Sequence, residues 1–364
     1  MANHSSKQAA DRRPPRALTF VAALILAGLM ALLLVEHRAP TTGLVRITGP
    51  TMGTSYTVQL LALPPGKTVD DVRRVVEGRL ESINATMSTY VSDSEVSRLS
   101  RHSAPTWFPI SSETAKVIAE AQRVSHLTAG AFDITVAPLV RLWGFGGNKT
   151  PTALPNEADI APLRSHVGVS KLELKLQPPS IRKLDAGTEV DLSGIAKGYA
   201  VDAVSDELKK LGAESFWVDI GGDLRVGAEK APGAPWVAAI ERPTEHERSA
   251  ETRISLTQRA MATSGDYRNF FTRNGERFSH TIDPRTGKPV THTLASVSVV
   301  APNCMEADAL ATAFLVLGPE PGYRMAESLN VPAFFIERRE SGFVSRATPA
   351  MKTLILAPTN PPRS

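Results

Sequence analysis

Cysteine is almost absent from this chain of 364 residues, which contains Cys304 alone. A single thiol can form neither an internal disulfide nor a cysteine zinc cluster, and none lies near the N-terminus for lipid attachment. Neither sign of charge dominates, since 41 basic and 37 acidic residues leave a net charge of +4. No dense basic stripe follows the N-terminal region, so we expect no nucleic-acid partner.

Common catalytic signatures are also missing. No glycine-containing segment matches a Walker phosphate-binding loop or a dinucleotide-binding fingerprint. The sequence has no Gly-x-Ser-x-Gly nucleophile elbow and no cysteine and histidine spacing typical of a zinc site. It has no internal repeat either. The function therefore has to be sought in shorter motifs.

The N-terminus carries a run of 19 uncharged, mostly apolar residues over 17–35. This run is about right for one membrane helix and long for the core of a cleaved signal peptide. Basic residues outnumber acidic ones before it, so the positive-inside rule places residues 1–16 in the cytoplasm and the rest outside. We expect an uncleaved signal anchor followed by a linker over residues 36–43, with a cleaved signal as the alternative.

The remaining sequence predicts an α+β fold of mixed sheets with packed helices. Hydrophobic residues make up 42% of the chain, which is typical of a globular protein. Hydrophobic periodicity predicts helices over 69–87, 114–128, 197–211 and 306–317. Strands are expected over 44–47, 55–60, 181–184, 189–192, 216–220, 237–240, 254–263 and 292–300. Loops are expected over 49–54 and 144–165. This irregular alternation favours α+β over a doubly wound sheet. We expect one domain over 44–355 and a flexible tail over 356–364.

The segment from Val190 to Asp202 is the most informative part of the sequence. It runs from a β-type residue and Asp191 through a small turn, Ser193-Gly194, into a helix with Lys197 in its first turn. A helix N-terminus beside a cation favours anionic groups, phosphate above all. The pattern indicates a site for a phosphorylated ligand. A strand-to-helix connection with a solvated lysine explains the same spacing.

Asp308 and Thr312 form a second candidate site. They are four residues apart in a predicted helix, so they share one face, which is otherwise lined with alanine. A carboxylate, a hydroxyl and one backbone carbonyl would make a sparse all-oxygen site of the kind that holds Mg²⁺. The structural alternative is an acid near a helix N-terminus and a threonine that hydrogen-bonds its own helix.

Three further segments carry weaker signals. His280 precedes a turn, Asp283 to Gly287, where it could accept a proton from a ligand. Gly221-Gly222 ends a predicted strand, where a planar ring or a phosphate could approach the backbone. Ala131 to Asp133 places an aromatic residue and an acid after a helix end. For the first segment taken by itself, a hairpin with a structural histidine is the favoured explanation; for the second, a simple bulged hairpin explains the pattern equally well.

Taken in chain order, these short patterns resemble the motifs of the ApbE family. The resemblance rests on Met52-Gly53-Thr54, Ala131 to Asp133, Asp191 to Asp202, Gly221-Gly222-Asp223, His280 to Gly287 and Asp308 to Thr312. It covers residues 44–355. Members of the family are Mg²⁺-dependent FAD:protein FMN transferases. Many are lipoproteins, and this chain departs from them by lacking a lipid-bearing cysteine.

The resemblance implies roles for individual residues. Contacts with the flavin are implied for Met52, Tyr90 and Ile282. Contacts with the adenosine part of FAD are implied for Ala131, Phe132 and Asp133. Further contacts with FAD are implied for Asp191 and Lys197. The implied ligands of Mg²⁺ are the Gly194 carbonyl, Asp308 and Thr312. The implied proton acceptor is His280.

The family reaction transfers the FMN part of FAD to a threonine hydroxyl of a partner protein and releases AMP. Expected acceptors are flavin-bearing subunits of membrane electron-transport complexes that carry a threonine-containing motif. The resemblance places the catalytic domain on the periplasmic side of a bacterial inner membrane. Two alternatives stay open, an FAD pyrophosphatase that yields FMN and AMP, and a periplasmic flavin-binding protein without catalysis.

Overall fold

The computed structural model describes residues 43–146, 153–244, 249–267, 269–273 and 275–357. The predicted cytoplasmic N-terminus, the signal anchor, most of the linker and most of the C-terminal tail lie outside these residues. Within the described ranges, no helix is both long enough and apolar enough to cross a bilayer.

The strands, in chain order, are β1 (Val45–Thr51), β2 (Thr54–Leu60), β3 (Phe108–Pro109), β4 (Leu172–Leu176), β5 (Pro179–Lys183), β6 (Phe216–Ile220), β7 (Asp223–Val226), β8 (Trp236–Glu241), β9 (Ala250–Leu256), β10 (Ala260–Gly265), β11 (Phe270–Arg273), β12 (Glu276–Ser279), β13 (Ile282–Asp283), β14 (Lys288–Pro289), β15 (Leu294–Ala301), β16 (Ala333–Arg339) and β17 (Gly342–Ala347). The helices are α1 (Val69–Met87), α2 (Glu95–Arg101), α3 (Ser112–Leu127), α4 (Ala137–Leu142), α5 (Glu157–Arg164), α6 (Ala196–Lys210), α7 (Cys304–Leu317), α8 (Pro319–Ser328) and α9 (Pro349–Lys352). A short 3₁₀ helix spans Val169–Lys171.

An eight-stranded sheet with the strand order β1-β2-β6-β7-β10-β15-β16-β17 forms the centre of the fold. Each neighbouring pair in it is antiparallel. Helix α7 packs on this sheet against β10 and β15, and it also contacts α6 and α8. Ten of the 14 side chains of α7 are apolar and buried, which is what a helix enclosed on most sides requires. The α+β fold class is therefore confirmed.

Smaller sheets surround the central one. They have the strand orders β3-β5-β4, β8-β9, β11-β12 and β13-β14. The hairpin β8-β9 covers a second apolar cluster that includes Trp236 and Ile254. A third cluster, with Leu139, Trp143 and Ile282, joins α4 and α5 to the segment after β12.

The longest predicted helix is confirmed at both ends. Helix α1 begins after Thr68, whose hydroxyl accepts a hydrogen bond from the backbone N–H of Asp71, while the Asp71 carboxylate accepts one from the Thr68 backbone N–H. This capping box satisfies two N–H groups that a helix start leaves unpaired. Its buried side chains, including Val72 and Ile83, follow the helical period.

Three local predictions are wrong. The expected loop over 49–54 is mostly strand, because Met52 and Gly53, at φ values of 46° and 71°, close a tight turn between β1 and β2. The expected surface loop over 144–165 contains α5, which Asn156 and Asp159 start with a second capping box. Residues 189–192 form no strand; there, the backbone N–H of Asp191 instead donates to the Ile134 carbonyl.

Gly198 allows α6 and α7 to cross closely. A Cβ atom at this position would lie 2.3 Å from the Cys304 carbonyl oxygen and 2.9 Å from Asp308 Cβ. The first of these neighbours is backbone at the start of α7, so it cannot move aside as a side-chain end would. The crossing places the first turn of α6 directly against the face of α7 that carries Asp308.

We expect Gly198→Ala to lower the free energy of unfolding by about 3 kcal/mol, because the added methyl group forces the two helices apart. Gly78→Ala is the matched control, since Gly78 lies in α1 with nothing within 4 Å of its Cβ position. That substitution should raise stability by about 0.5–1 kcal/mol through helix propensity. Denaturant unfolding of both variants measures the difference, and equal stabilities would contradict the described crossing.

Candidate active site

A cluster of polar side chains, which we call the polar pocket, lies where the first turn of α6 meets α7 and the strands β7 and β10. Asp308 of α7 is 4% exposed, and its Oδ2 accepts a hydrogen bond of 3.0 Å from the backbone N–H of Gly198. Free N–H groups in the first turn of a helix favour a negative charge beside them. The start of α6 therefore binds a carboxylate of its own chain, and the predicted segments around Lys197 and Asp308 form one site.

Lys197 and Asp223 form an ion pair in the same pocket. Lys197 Nζ donates to Asp223 Oδ2, while Asp223 Oδ1 accepts from the backbone N–H of Thr263 in β10. The Asp223 side chain is 2% exposed and that of Lys197 is 34% exposed. The sequence motif Gly221-Gly222-Asp223 pointed to this place, but the role of Asp223 was not predicted. Pairing with Lys197 depends on the order of the strands, which the motif does not reveal.

The charges in this pocket do not balance. Burial, and after it the negative charge of Asp223, raise the pKa of Asp308 to about 7, although Lys197 and the Gly198 N–H act in the opposite direction. Burial by itself would lower the pKa of Lys197, yet the charges of Asp223 and Asp308 together raise it. One lysine charge thus offsets the charges of two buried carboxylates only in part. A second positive charge in the pocket would offset the remainder.

Oxygen atoms beside Asp308 suit a hard cation. Thr312 Oγ1 lies 3.1 Å from Ser264 Oγ of β10, so this hydrogen bond joins α7 to the central sheet. A Cβ atom at Gly194 would lie 3.3 Å from Thr312 Oγ1, which places the predicted ligands Gly194 and Thr312 side by side. No group of three or more His, Cys, Asp or Glu side chains within the described residues could hold a metal. The carboxylate, the hydroxyl and the adjacent backbone fit the sparse protein ligation of Mg²⁺.

Asp202 fixes the N-terminus of α7. Its two carboxylate oxygens accept hydrogen bonds of 2.9 Å from the backbone N–H groups of Cys304 and Met305. Oδ1 also accepts 2.9 Å from Arg225 Nη1 of β7. Asp202 lies within the motif that the sequence singled out, although its role as a cap was not predicted. Through it, α6 and the central sheet hold α7 in the position that presents Asp308.

His280 lies at the end of β12 with a defined ring orientation. Its Nδ1 is 2.9 Å from the Asn269 carbonyl oxygen, which has no proton to donate, so Nδ1 carries the hydrogen and donates it. Nε2 of the neutral ring is then free to accept a proton. Burial lowers the pKa of His280, and the positive charge of Lys197 lowers it as well. The ring is therefore neutral at neutral pH, and it lies within electrostatic reach of the pocket.

Phe132 borders the candidate metal site. Its Cε2 would be 3.2 Å from a Cβ atom at Gly194. Its neighbour Ala131 is 1% exposed. The carboxylate of Asp133 is buried and accepts hydrogen bonds from both the N–H and the hydroxyl of Thr135 and from the N–H of Val169. Asp133 thus stabilises the loop that carries Phe132, and a contact of these three residues with adenosine stays a prediction.

The predicted flavin contacts lie in different surroundings. Met52 occupies the turn between β1 and β2 and is partly buried. Tyr90 is 75% exposed, so its ring is available to stack on a planar ligand. Ile282 is 5% exposed and packs in the third apolar cluster. Direct contact of these residues with a flavin stays a prediction.

Asp191 borders a cavity of about 200 Å³. Thr89 and Arg141 also line it, and Arg141 forms a bidentate ion pair with Glu189, with N···O distances of 2.5 and 2.6 Å. Asp191 Oδ1 accepts from the backbone N–H of Ser193, which shapes the turn before α6. The cavity therefore adjoins the segment that leads into the polar pocket.

Comparisons with known proteins give consistent matches over most of the chain. A family model described as the ApbE family matches residues 52–335. A protein named FAD:protein FMN transferase from Haemophilus influenzae is 41% identical over 337 residues, covering 91% of this chain and 96% of the relative. One of the same name from Vibrio cholerae is 38% identical, covering 91% and 98%.

Solved structures give the same result. The flavin transferase ApbE from Vibrio cholerae matches with a TM-score of 0.78 at 38% identity, over 86% of this chain and 99% of that one. The apo form of the Pseudomonas stutzeri flavinyl transferase ApbE matches with a TM-score of 0.79 at 37% identity, over 87% and 98%.

The shifted pKa of Asp308 predicts how stability depends on pH. Because the folded pKa of about 7 lies above the ordinary value of 3.8, the folded state holds a proton that the unfolded state loses. Metal-free protein should lose stability as the pH rises from about 4 to 7, by at most roughly 1.4 kcal/mol per unit. Asp308→Asn should remove this loss and melt at a higher temperature than the parent at pH 8. Identical pH dependence of melting in the two proteins, both with chelator, would refute the assignment.

Proposed function

The chain belongs to the ApbE family and transfers FMN from FAD to protein, and from this we propose that the pocket of Lys197, Asp223 and Asp308 is the site of that transfer. The observation that carries the proposal is the unbalanced charge of the pocket. Two buried carboxylates share one lysine, and burial together with the charge of Asp223 raises the pKa of Asp308, so a divalent cation beside it would offset negative charge that Lys197 leaves uncompensated.

We propose Mg²⁺ as that cation, held by the Asp308 carboxylate, the Thr312 hydroxyl and the Gly194 carbonyl. Few protein ligands leave coordination positions to water and phosphate oxygens, which is how Mg²⁺ is usually bound. When bound there, Mg²⁺ would neutralise charge on the pyrophosphate and on the departing AMP.

The remaining groups bind and orient FAD. Lys197, held by Asp223, adds a fixed positive charge beside the phosphates. The exposed ring of Tyr90 offers a stacking surface for the isoalloxazine ring, and Met52 offers an apolar one. Phe132 limits the pocket on the side of Gly194. Asp191, beside the adjoining cavity, is a further contact for FAD in this proposal.

His280 is the proposed base. The acceptor's threonine oxygen bonds to the phosphorus that carries riboflavin, while the hydroxyl proton passes to Nε2 of His280. The bond from that phosphorus to the bridging oxygen breaks, and AMP leaves with the oxygen. The products are AMP and a protein with FMN in a phosphoester bond. A neutral ring with its Nδ1 hydrogen-bonded to Asn269 is suited to this step.

We expect Asp308→Ala to reduce transfer to background, because it removes the carboxylate that the cation needs. Glu306→Ala is the matched control: Glu306 lies two residues earlier in the same helix, and its carboxylate pairs with Arg123 at 2.7 Å. Mass spectrometry of an acceptor domain after incubation with FAD and Mg²⁺ measures both variants. Transfer by Asp308→Ala at the parent rate would disprove the metal site. Free FMN and AMP with unmodified acceptor, in the parent protein, would favour the pyrophosphatase.

We further propose that residues 17–35 anchor the chain in a bacterial inner membrane, with the catalytic domain in the periplasm. The basic residues before this run support that orientation. Subunits of membrane electron-transport complexes with threonine-containing motifs are then the acceptors within reach.

This orientation predicts that protease added to spheroplasts digests the catalytic domain, whereas intact cells protect it. A cytoplasmic protein assayed in the same samples reports whether the inner membrane stayed sealed. Digestion of the catalytic domain only after lysis of the spheroplasts would reverse the proposed topology.

A further inference from the structure

We propose that Asp266 and Arg338 form a positioning pair that orients His280 and balances the charge around it, an inference that rests on the proposed role of His280 as base. Asp266 follows β10 and is 7% exposed. Its two carboxylate oxygens accept hydrogen bonds of 3.0 and 3.3 Å from the guanidinium of Arg338 in β16. Its backbone N–H donates to the Ala295 carbonyl of β15 at 3.1 Å. Strands β15 and β16 of the central sheet thus hold Asp266 in place.

Asp266 and Asn269 both lie between β10 and β11, and Asn269 binds His280. The Asn269 carbonyl accepts hydrogen bonds from both the backbone N–H and the ring Nδ1 of His280, at 3.1 and 2.9 Å. The Asp266 carbonyl accepts 2.8 Å from Arg277 of β12, whose guanidinium also lies 3.6 Å above the Phe270 ring. The strand that leads into His280 is therefore attached to Asp266 as well. The ring direction depends on the position that Arg338 gives to Asp266.

Charge links the pair to His280 independently of these contacts. Burial lowers the pKa of His280 most; the hydrogen bond to Asn269 and then the charge of Asp266 raise it, and Lys197 of α6 lowers it. A base becomes positive when it takes a proton, so the negative charge of Asp266 stabilises the protonated ring. Arg338, bound to Asp266, limits that effect. Removing either charge should change the proton affinity of His280, and the two changes should have opposite signs.

The test compares Asp266→Asn with Arg338→Gln in the full chain. In both variants we expect kcat to fall about tenfold through lost orientation, with KM for FAD within about twofold of the parent. The pH below which kcat declines should move down by roughly half a unit in Asp266→Asn and up by a similar amount in Arg338→Gln. A purely structural role would not produce shifts of opposite sign.

Two further variants separate the possible failures. Glu337→Gln breaks the ion pair with Arg339 on the same strand and should behave as the parent protein does. His280→Asn should abolish the acidic decline together with most of the activity. Full activity in His280→Asn would overturn the proposed base itself. A different outcome would overturn only the positioning pair. In that outcome His280→Asn loses activity, but the pH profiles of Asp266→Asn and Arg338→Gln are unshifted or shift in the same direction.

Discussion

One lysine shared by two buried carboxylates is the interaction on which the site depends. Lys197 pairs directly with Asp223. The cost of burying the Asp308 carboxylate is therefore offset only in part, by the more distant charge of Lys197 and by the hydrogen bond from the Gly198 N–H. A carboxylate in that position either holds a proton or attracts a cation. In the proposed function, the same imbalance that destabilises the metal-free fold is what favours binding of Mg²⁺ and the phosphates of FAD.

The fold supplies this imbalance through the crossing of α6 and α7. Gly198 lets the helices approach, and Asp202 holds the start of α7 through two backbone N–H groups. The antiparallel neighbours β7 and β10 bring Asp223, Thr263 and Ser264 to the same place. Chemistry and stability are coupled here, because the residues that align the helices also set the distance between the charges.

Local sequence information predicted much of this arrangement. Helix α1 was predictable because its cap and its apolar spacing lie within its own residues, and Asp308 and Thr312 were predictable as one helical face. The contact of Lys197 with Asp223, 26 residues away, and that of Asp266 with Arg338, 72 residues away, depend on the order of strands in the sheet. Helix α5 was missed because Pro162 lies inside it, and Glu189 to Leu192 resembles a strand although it has no strand partner.

The most direct test of the account is mass spectrometry of an acceptor domain with a single threonine motif, incubated with the full chain and FAD. The account predicts a mass gain equal to FMN less one water, one AMP for each modified acceptor, and dependence of both products on added Mg²⁺. Modification that proceeds at the same rate in excess chelator, or AMP released with free FMN while the acceptor stays unmodified, would contradict it.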